Sequence, residues 1–141
     1  MIKVYRKTGT IKAEQFDGSD EMAKKYSITP PMPLDPDYTI NTLEGDMVLG
    51  VGDWVATGIN GENWPIADDV FKKTYAELPV IPENVDYSIK KYKEWNYDLG
   101  IVFDNACSGH AWEDDVGEWI LENSNVFARA WLDGYVVEVE K

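Results

Sequence analysis

The chain has 141 residues, 44% of them apolar, with six Trp and eight Tyr, enough for a packed core and too many for an intrinsically disordered chain. Thirteen basic residues against twenty-six acidic ones give a net charge of -13, which disfavours phosphate backbones and anionic membranes as direct partners. A single cysteine, Cys107, excludes an intramolecular disulfide, and no apolar run reaches the length of a membrane span.

In chain order, Ile2 to Arg6 and Thr10 to Phe16 alternate apolar and polar residues around Thr8-Gly9, which predicts a β-hairpin. The same opening lacks the long apolar run and small-residue cleavage site of a signal peptide, so a cytoplasmic protein is expected. Asp17-Gly18-Ser19 predicts a turn, with Ser19 capping a short helix over residues 20–26. Pro30, Pro31, Pro33 and Pro36 then predict an irregular loop, because proline lacks the amide donor and disfavours helix before it.

From Thr39 to Leu78 a Gly followed by an acid recurs as Gly45-Asp46, Gly52-Asp53 and Gly61-Glu62. Glycine takes positive φ without a Cβ clash, so each pair marks a tight turn between short β-prone segments, Met47–Leu49 and Trp54–Ala56 among them. Asp68 and Asp69 supply acids at the positive end of a helix that carries Lys72 and Lys73 further in.

Leu78-Pro79-Val80-Ile81-Pro82 reads as an extended linker between a β-rich part, residues 1–80, and a helical acidic part, residues 81–141. Val85, Ile89, Tyr92, Trp95, Leu99 and Val102 recur at helical spacing and predict one helix over residues 84–106, ended or bent at Gly100. After Cys107-Ser108-Gly109, Trp112, Val116, Trp119 and Ile120 line a second helix opened by Glu113, Asp114 and Asp115. Ser124 or Asn125 caps a third, with Val126, Phe127, Ala130 and Trp131, and Gly134 stops it before a final strand over residues 135–140. The expected class is α+β: a small N-terminal antiparallel β meander or barrel-like unit with short helices, and a C-terminal helical part ending in a strand. Trp95, Trp119 and Trp131 are expected in the core. Trp54 and Trp64 follow turns and are expected half exposed, either packed between layers or available to a partner.

The segments IKAEQFDGS and TLEGDMVLGVGDWVATGINGENWPIADDVFKKTY resemble a phage module with a Gly-Asp-aromatic turn, then Gly-Glu-x-aromatic-Pro, then a short helix. FARAWLDGYVVEVEK is similar to the end of a second phage domain of unknown function. The resemblance implies an origin in phages or prophages of low-GC Gram-positive bacteria and supplies no active site.

No catalytic, metal or cofactor site is expected. Cys107 and His110 lack the second ligand pair of a structural metal site, and a packed Cys beside an ordinary loop His accounts for both. Gly50-Val51-Gly52 and Gly58 to Gly61 lack the Gly-Lys-Ser/Thr of a phosphate loop. Asp68-Asp69 and Asp114-Asp115 are explained as helix starts. Residues 1–80 hold eight basic and thirteen acidic residues, a net of -5, and residues 81–141 hold five and thirteen, a net of -8. Glu113, Asp114, Asp115, Glu118 and Glu122 crowd one helix, and no Lys or Arg lies between Lys93 and Arg129.

These acids, with Asp68, Asp69, Trp54 and Trp64, are the candidate partner-binding residues of a non-enzymatic inhibitor or adaptor. The expected partner is a host protein with a basic nucleic-acid-binding surface, such as a CRISPR effector nuclease, an anti-CRISPR or related anti-defence role. The alternative is an assembly accessory that acts by self-association. A small hydrolase using Cys107 or His110 is the least favoured reading.

Overall fold

The computed structural model describes residues 1–109 and 114–139, with Asp114 described by its backbone alone. The architecture is α+β, in two compact units, Met1–Ala76 and Glu77–Lys141.

The first unit contains strands β1 (Lys12–Gln15), β2 (Tyr38–Thr42), β3 (Gly45–Leu49), β4 (Trp54–Thr57) and β5 (Asn63–Ile66), with helices α1 (Asp20–Lys25) and α2 (Asp68–Thr74). All three Gly-acid turns form as expected, with φ of 108° at Gly45, 98° at Gly52 and 80° at Gly61. The strands do not run as one meander. β2 and β3 make a two-stranded hairpin, while β4 pairs antiparallel with β1 on one side and β5 on the other. Neither sheet closes into a barrel.

The predicted opening hairpin is absent. Residues 1–11 form no strand and leave Ile2, Val4 and Tyr5 exposed, and β1 takes β4 as its partner instead, Lys12 opposite Thr57 and Gln15 opposite Trp54. Two backbone bonds fix that choice: Phe16 N–H donates to Asp53 O and Gly52 N–H to Phe16 O, both at 2.8 Å. They also place Phe16, 1% exposed, among Met22, Ile28, Ile40, Leu49 and Val55, the buried core of this unit. Ser19 caps α1 through Oγ, which accepts from Met22 N–H at 3.2 Å. The proline loop is irregular as expected, with isolated bridges at Thr29–Thr39 and Met32–Asp35.

The second unit contains strand β6 (Val80–Ile81), helices α3 (Glu83–Glu94), α4 (Leu99–Cys107), α5 (Asp114–Glu122) and α6 (Ser124–Asp133), and strand β7 (Val136–Val137). The segment read as a linker is a strand. Val80 and Ile81 pair parallel with Val136 and Val137, so the final strand finds its partner at the start of its own unit.

The predicted long helix is two helices, and the break falls before Gly100. Asn96 takes a left-handed φ of 58°, and Asp98 Oδ1 accepts from Ile101 N–H at 2.8 Å as the N-cap of α4. Gly100 sits inside the first turn of α4, where a missing Cβ costs little. The cap of α6 is Asn123, one place earlier than expected, and its amide donates to Trp119 O at 3.0 Å. Gly134, with φ of 96°, ends α6 as predicted.

The core of this unit is Ile81, Val85, Ile89, Tyr92, Val102, Ala106, Val116, Ile120, Phe127 and Ala130. Trp119 and Trp131 pack against it half-buried, whereas Trp95, expected in the core, is 43% exposed as the C-cap of α3. Cys107 also departs from expectation and is exposed. Val102 and Ala106 define the inward face of α4 at a spacing of four residues, and Cys107 lies about 100° beyond it.

Candidate partner-binding surface

The candidate residues divide into those that hold the fold and those that face solvent. Asp68 belongs to the first kind. Its Oδ1 accepts from the Trp54 indole N–H at 2.9 Å and from the Gln15 amide at 3.4 Å, while Oδ2 meets Lys72 Nζ at 2.9 Å. The Trp54 indole N–H, and after it the Lys72 ammonium, hold the Asp68 carboxyl below the usual carboxylate range.

Trp54 is half-buried and stacks on Phe71 with ring centroids 4.0 Å apart and planes 14° from parallel. Tyr75 extends the stack at 5.3 Å from Phe71. The register shows why this works: Gln15, Trp54 and Ile66 stand opposite one another across β1, β4 and β5 and point to one face of the sheet, where α2 docks. Trp54 therefore joins sheet to helix. Trp64, opposite Ala56 on that same sheet face, is half-buried too, and Asp69 on α2 is exposed.

The acids of α5 face solvent. Val116, Gly117 and Ile120 are buried on one side, whereas Asp115, Glu118 and Glu122 are exposed on the other. At about 100° per residue these three lie within about 60° of arc, a single stripe along the helix. Asp115 Oδ2 accepts from the Asn84 amide at 3.1 Å, tying the start of the stripe to α3. Glu118 and Glu122 form no ion pair among the described residues. Glu113 and the side chain of Asp114 lie outside the described residues, as do His110 and Trp112.

Among the described residues no three His, Cys, Asp or Glu side chains converge as metal ligands would, and no helix is long and apolar enough to cross a membrane. A shallow polar depression of about 310 Å³ in the first unit is lined by residues including Lys25, Tyr26, Asn41 and Glu62. None of the candidate residues lines it, and Lys25 is already committed to Glu14 at 3.0 Å.

The sequence reading missed the structural use of Asp68. A Trp fourteen residues before an acid at a helix start carries no local signal of a bond between them. The stripe on α5 was legible, because acids at positions 115, 118 and 122 follow helical spacing.

Residues 76–141, which include the segment FARAWLDGYVVEVEK, match the family model described as "Protein of unknown function (DUF1642)". No curated protein and no solved structure matches the chain.

Proposed function

We propose that the protein is a phage-encoded, non-enzymatic accessory factor of the bacterial cytoplasm that binds a basic nucleic-acid-binding host protein, such as a CRISPR effector nuclease, through the α5 stripe. The observation that carries this reading is the exposed row Asp115, Glu118 and Glu122 with no cation on the same helix. The row spans about 10 Å, a length over which one strand of a duplex, with a charge about every 3.4 Å of axis, presents about four phosphates, so the three carboxylates are comparable in number to the charges they would replace. Lys and Arg placed to receive phosphates would accept them. The phage resemblance of the N-terminal module and the net charge of -13 support the same reading.

Asp68 and Trp54 drop out of the binding surface, because each is half-buried as well as engaged within its own unit, whereas Asp115 stays exposed. Asp69 and Trp64 remain as secondary contacts.

The test is a pull-down from lysate of a low-GC Gram-positive host at low and high salt, with the tagged protein and a Asp115→Lys, Glu118→Lys, Glu122→Lys variant. The native protein should retain a basic nucleic-acid binder that salt releases, and the variant should bind it at least about tenfold more weakly with an unchanged circular dichroism spectrum. Equal retention by the variant would sink the stripe mechanism.

A further inference from the structure

A strand edge offers its N–H and C=O groups to any other strand, and folded chains blunt it with proline, charge or cover. Three edges of the first unit are blunted. β5 carries Pro65, β1 carries Lys12 and Glu14, and Thr29 covers the start of β2, exchanging bonds of 2.8 and 3.1 Å with Thr39. The outer edge of β3 is different: the strand holds neither proline nor lysine, and among the described residues it pairs with β2 alone. Gly45 to Val48 are all exposed, Met47 by 42% and Val48 by 61%. Its one charged residue, Asp46, accepts from the Asn41 amide at 3.0 Å.

Strand alternation fixes which groups of β3 point outward. Thr39 turns both its backbone groups away from β3 toward Thr29, so Thr39–Val48 and, two places on, Asn41–Asp46 are the non-hydrogen-bonded pairs of the hairpin. Val48 and Asp46 therefore turn their N–H and C=O groups to the open side. A second β3 lying antiparallel there is related to the first by an axis at one of the three central residues. An axis at Asp46 sets two Asp46 carboxylates directly opposite one another, which is unfavourable. An axis at Val48 requires Gly50, whose N–H donates to Asp53 Oδ2 at 2.8 Å and whose C=O accepts from Asp53 N–H at 3.0 Å. An axis at Met47 meets neither obstacle. Asp46 then bonds Val48 of the other copy, Val48 bonds its Asp46, and the two Met47 side chains meet across the axis.

We infer that β3 is a self-pairing edge: two copies join β3 to β3 antiparallel about a two-fold axis at Met47, turning two hairpins into one continuous sheet. A two-stranded hairpin gains most from added strands. A second copy is the occupant that fits, because one short strand supplies both halves of the register. Residues 1–76 hold eight basic and twelve acidic residues, a net of -4 out of -13, so the edge belongs to the less charged unit. The inference is independent of the α5 reading and has the opposite salt dependence: salt screens the repulsion between like-charged copies, whereas it weakens a contact between acids and bases.

Sedimentation of the untagged full chain across micromolar concentrations, at low and high salt, tests it. The native chain should dimerise, and more tightly at high salt. Val48→Pro should give a monomer with an unchanged circular dichroism spectrum, because the Val48 N–H faces away from β2 and takes no part in the hairpin's own ladder. Val48→Asp should weaken the dimer at least about tenfold by facing Asp46 of the other copy, whereas Val48→Lys, facing the same carboxylate, should leave it at native strength or tighter. A native chain that is monomeric at every concentration, or a dimer that survives Val48→Pro, overturns the inference. Equal weakening by Val48→Asp and Val48→Lys overturns the register centred on Met47.

Discussion

Helix α2 of the first unit and the four helices of the second are held by different means. In the first, α2 buries none of its residues and stays on the sheet through the Asp68 carboxylate, the Trp54 indole and the stacked Phe71 ring. In the second, each of α3 to α6 contributes at least two residues to one shared core, from Val85 and Ile89 through Val116 and Ile120 to Phe127 and Ala130. Apolar burial is non-directional and scales with area, whereas a charge-assisted bond depends on one geometry and on protonation. The second unit should therefore be sensitive to lost volume, and the docking of α2 sensitive to pH.

The largest expected effect is Phe127→Ala. Phe127 is fully buried, edge-on to Phe103 at 5.7 Å, and its loss should cost about 3 to 5 kcal/mol. A unit of this size has a comparable total stability, so it should unfold while the first unit keeps its own melting transition. Calorimetry resolving two transitions in the native chain and one in the variant would bear this out. A uniform shift of both would erase the contrast between the units.

Tyr135→Phe probes a polar fastening within the apolar unit. The Tyr135 hydroxyl donates to Asp86 Oδ1 at 2.6 Å, and burial, followed by the Asp86 carboxylate, pushes its pKa up to about 12. A pKa raised in the folded state means stability that is complete below the unfolded value of about 10 and is lost as pH rises to about 12. The native second unit should thus weaken across that window. Tyr135→Phe should cost about 1 kcal/mol at neutral pH and flatten the alkaline loss, as read by denaturant titration at several pH values.

Trp54→Phe is the gentlest change. It keeps a ring against Phe71 and deletes the indole N–H that chiefly holds the Asp68 carboxyl below its ordinary range. A depressed carboxylate contributes stability that is complete above its unfolded pKa and fades as pH falls through the lower folded value. The variant should melt slightly lower at neutral pH, with the gap to the native chain closing in acid. A gap that persists unchanged below the carboxylate range would assign the loss to ring packing instead.

Much of this was legible in the sequence, for physical reasons that can be named. Ser19, Gly45, Gly52, Gly61 and Gly134 act locally through a cap or a positive φ, so each announced its turn or terminus. The α5 stripe was legible because helical spacing alone sorts Asp115, Glu118 and Glu122 from Val116 and Ile120. The break between α3 and α4 was not. Tyr92, Trp95, Leu99 and Val102 keep helical spacing straight through it, while Asn96 and Asp98 carry the stop and restart. Strand pairing was the least visible, since β1 meets β4 about forty residues away and the opening alternation pointed to a nearer partner. Asp68 fell to the same distance problem: a helix-start explanation sufficed until Trp54 stood next to it.

The parallel pairing of Val80 with Val136 sets an order of events during synthesis. The strands that close the second unit lie at its two ends, so α3 to α6 can form and pack on one another as they emerge, but the β6–β7 pairing cannot form until Val137 has been made. The shared core offsets most of the entropic cost of closing so long a loop, and the pairing of its two ends is the late step. The first unit has all its strands by Ile66 and can finish folding while the second is still being translated. Between those two moments the acidic helices exist as an unlatched set, and the time spent there is governed by the rate of chain elongation.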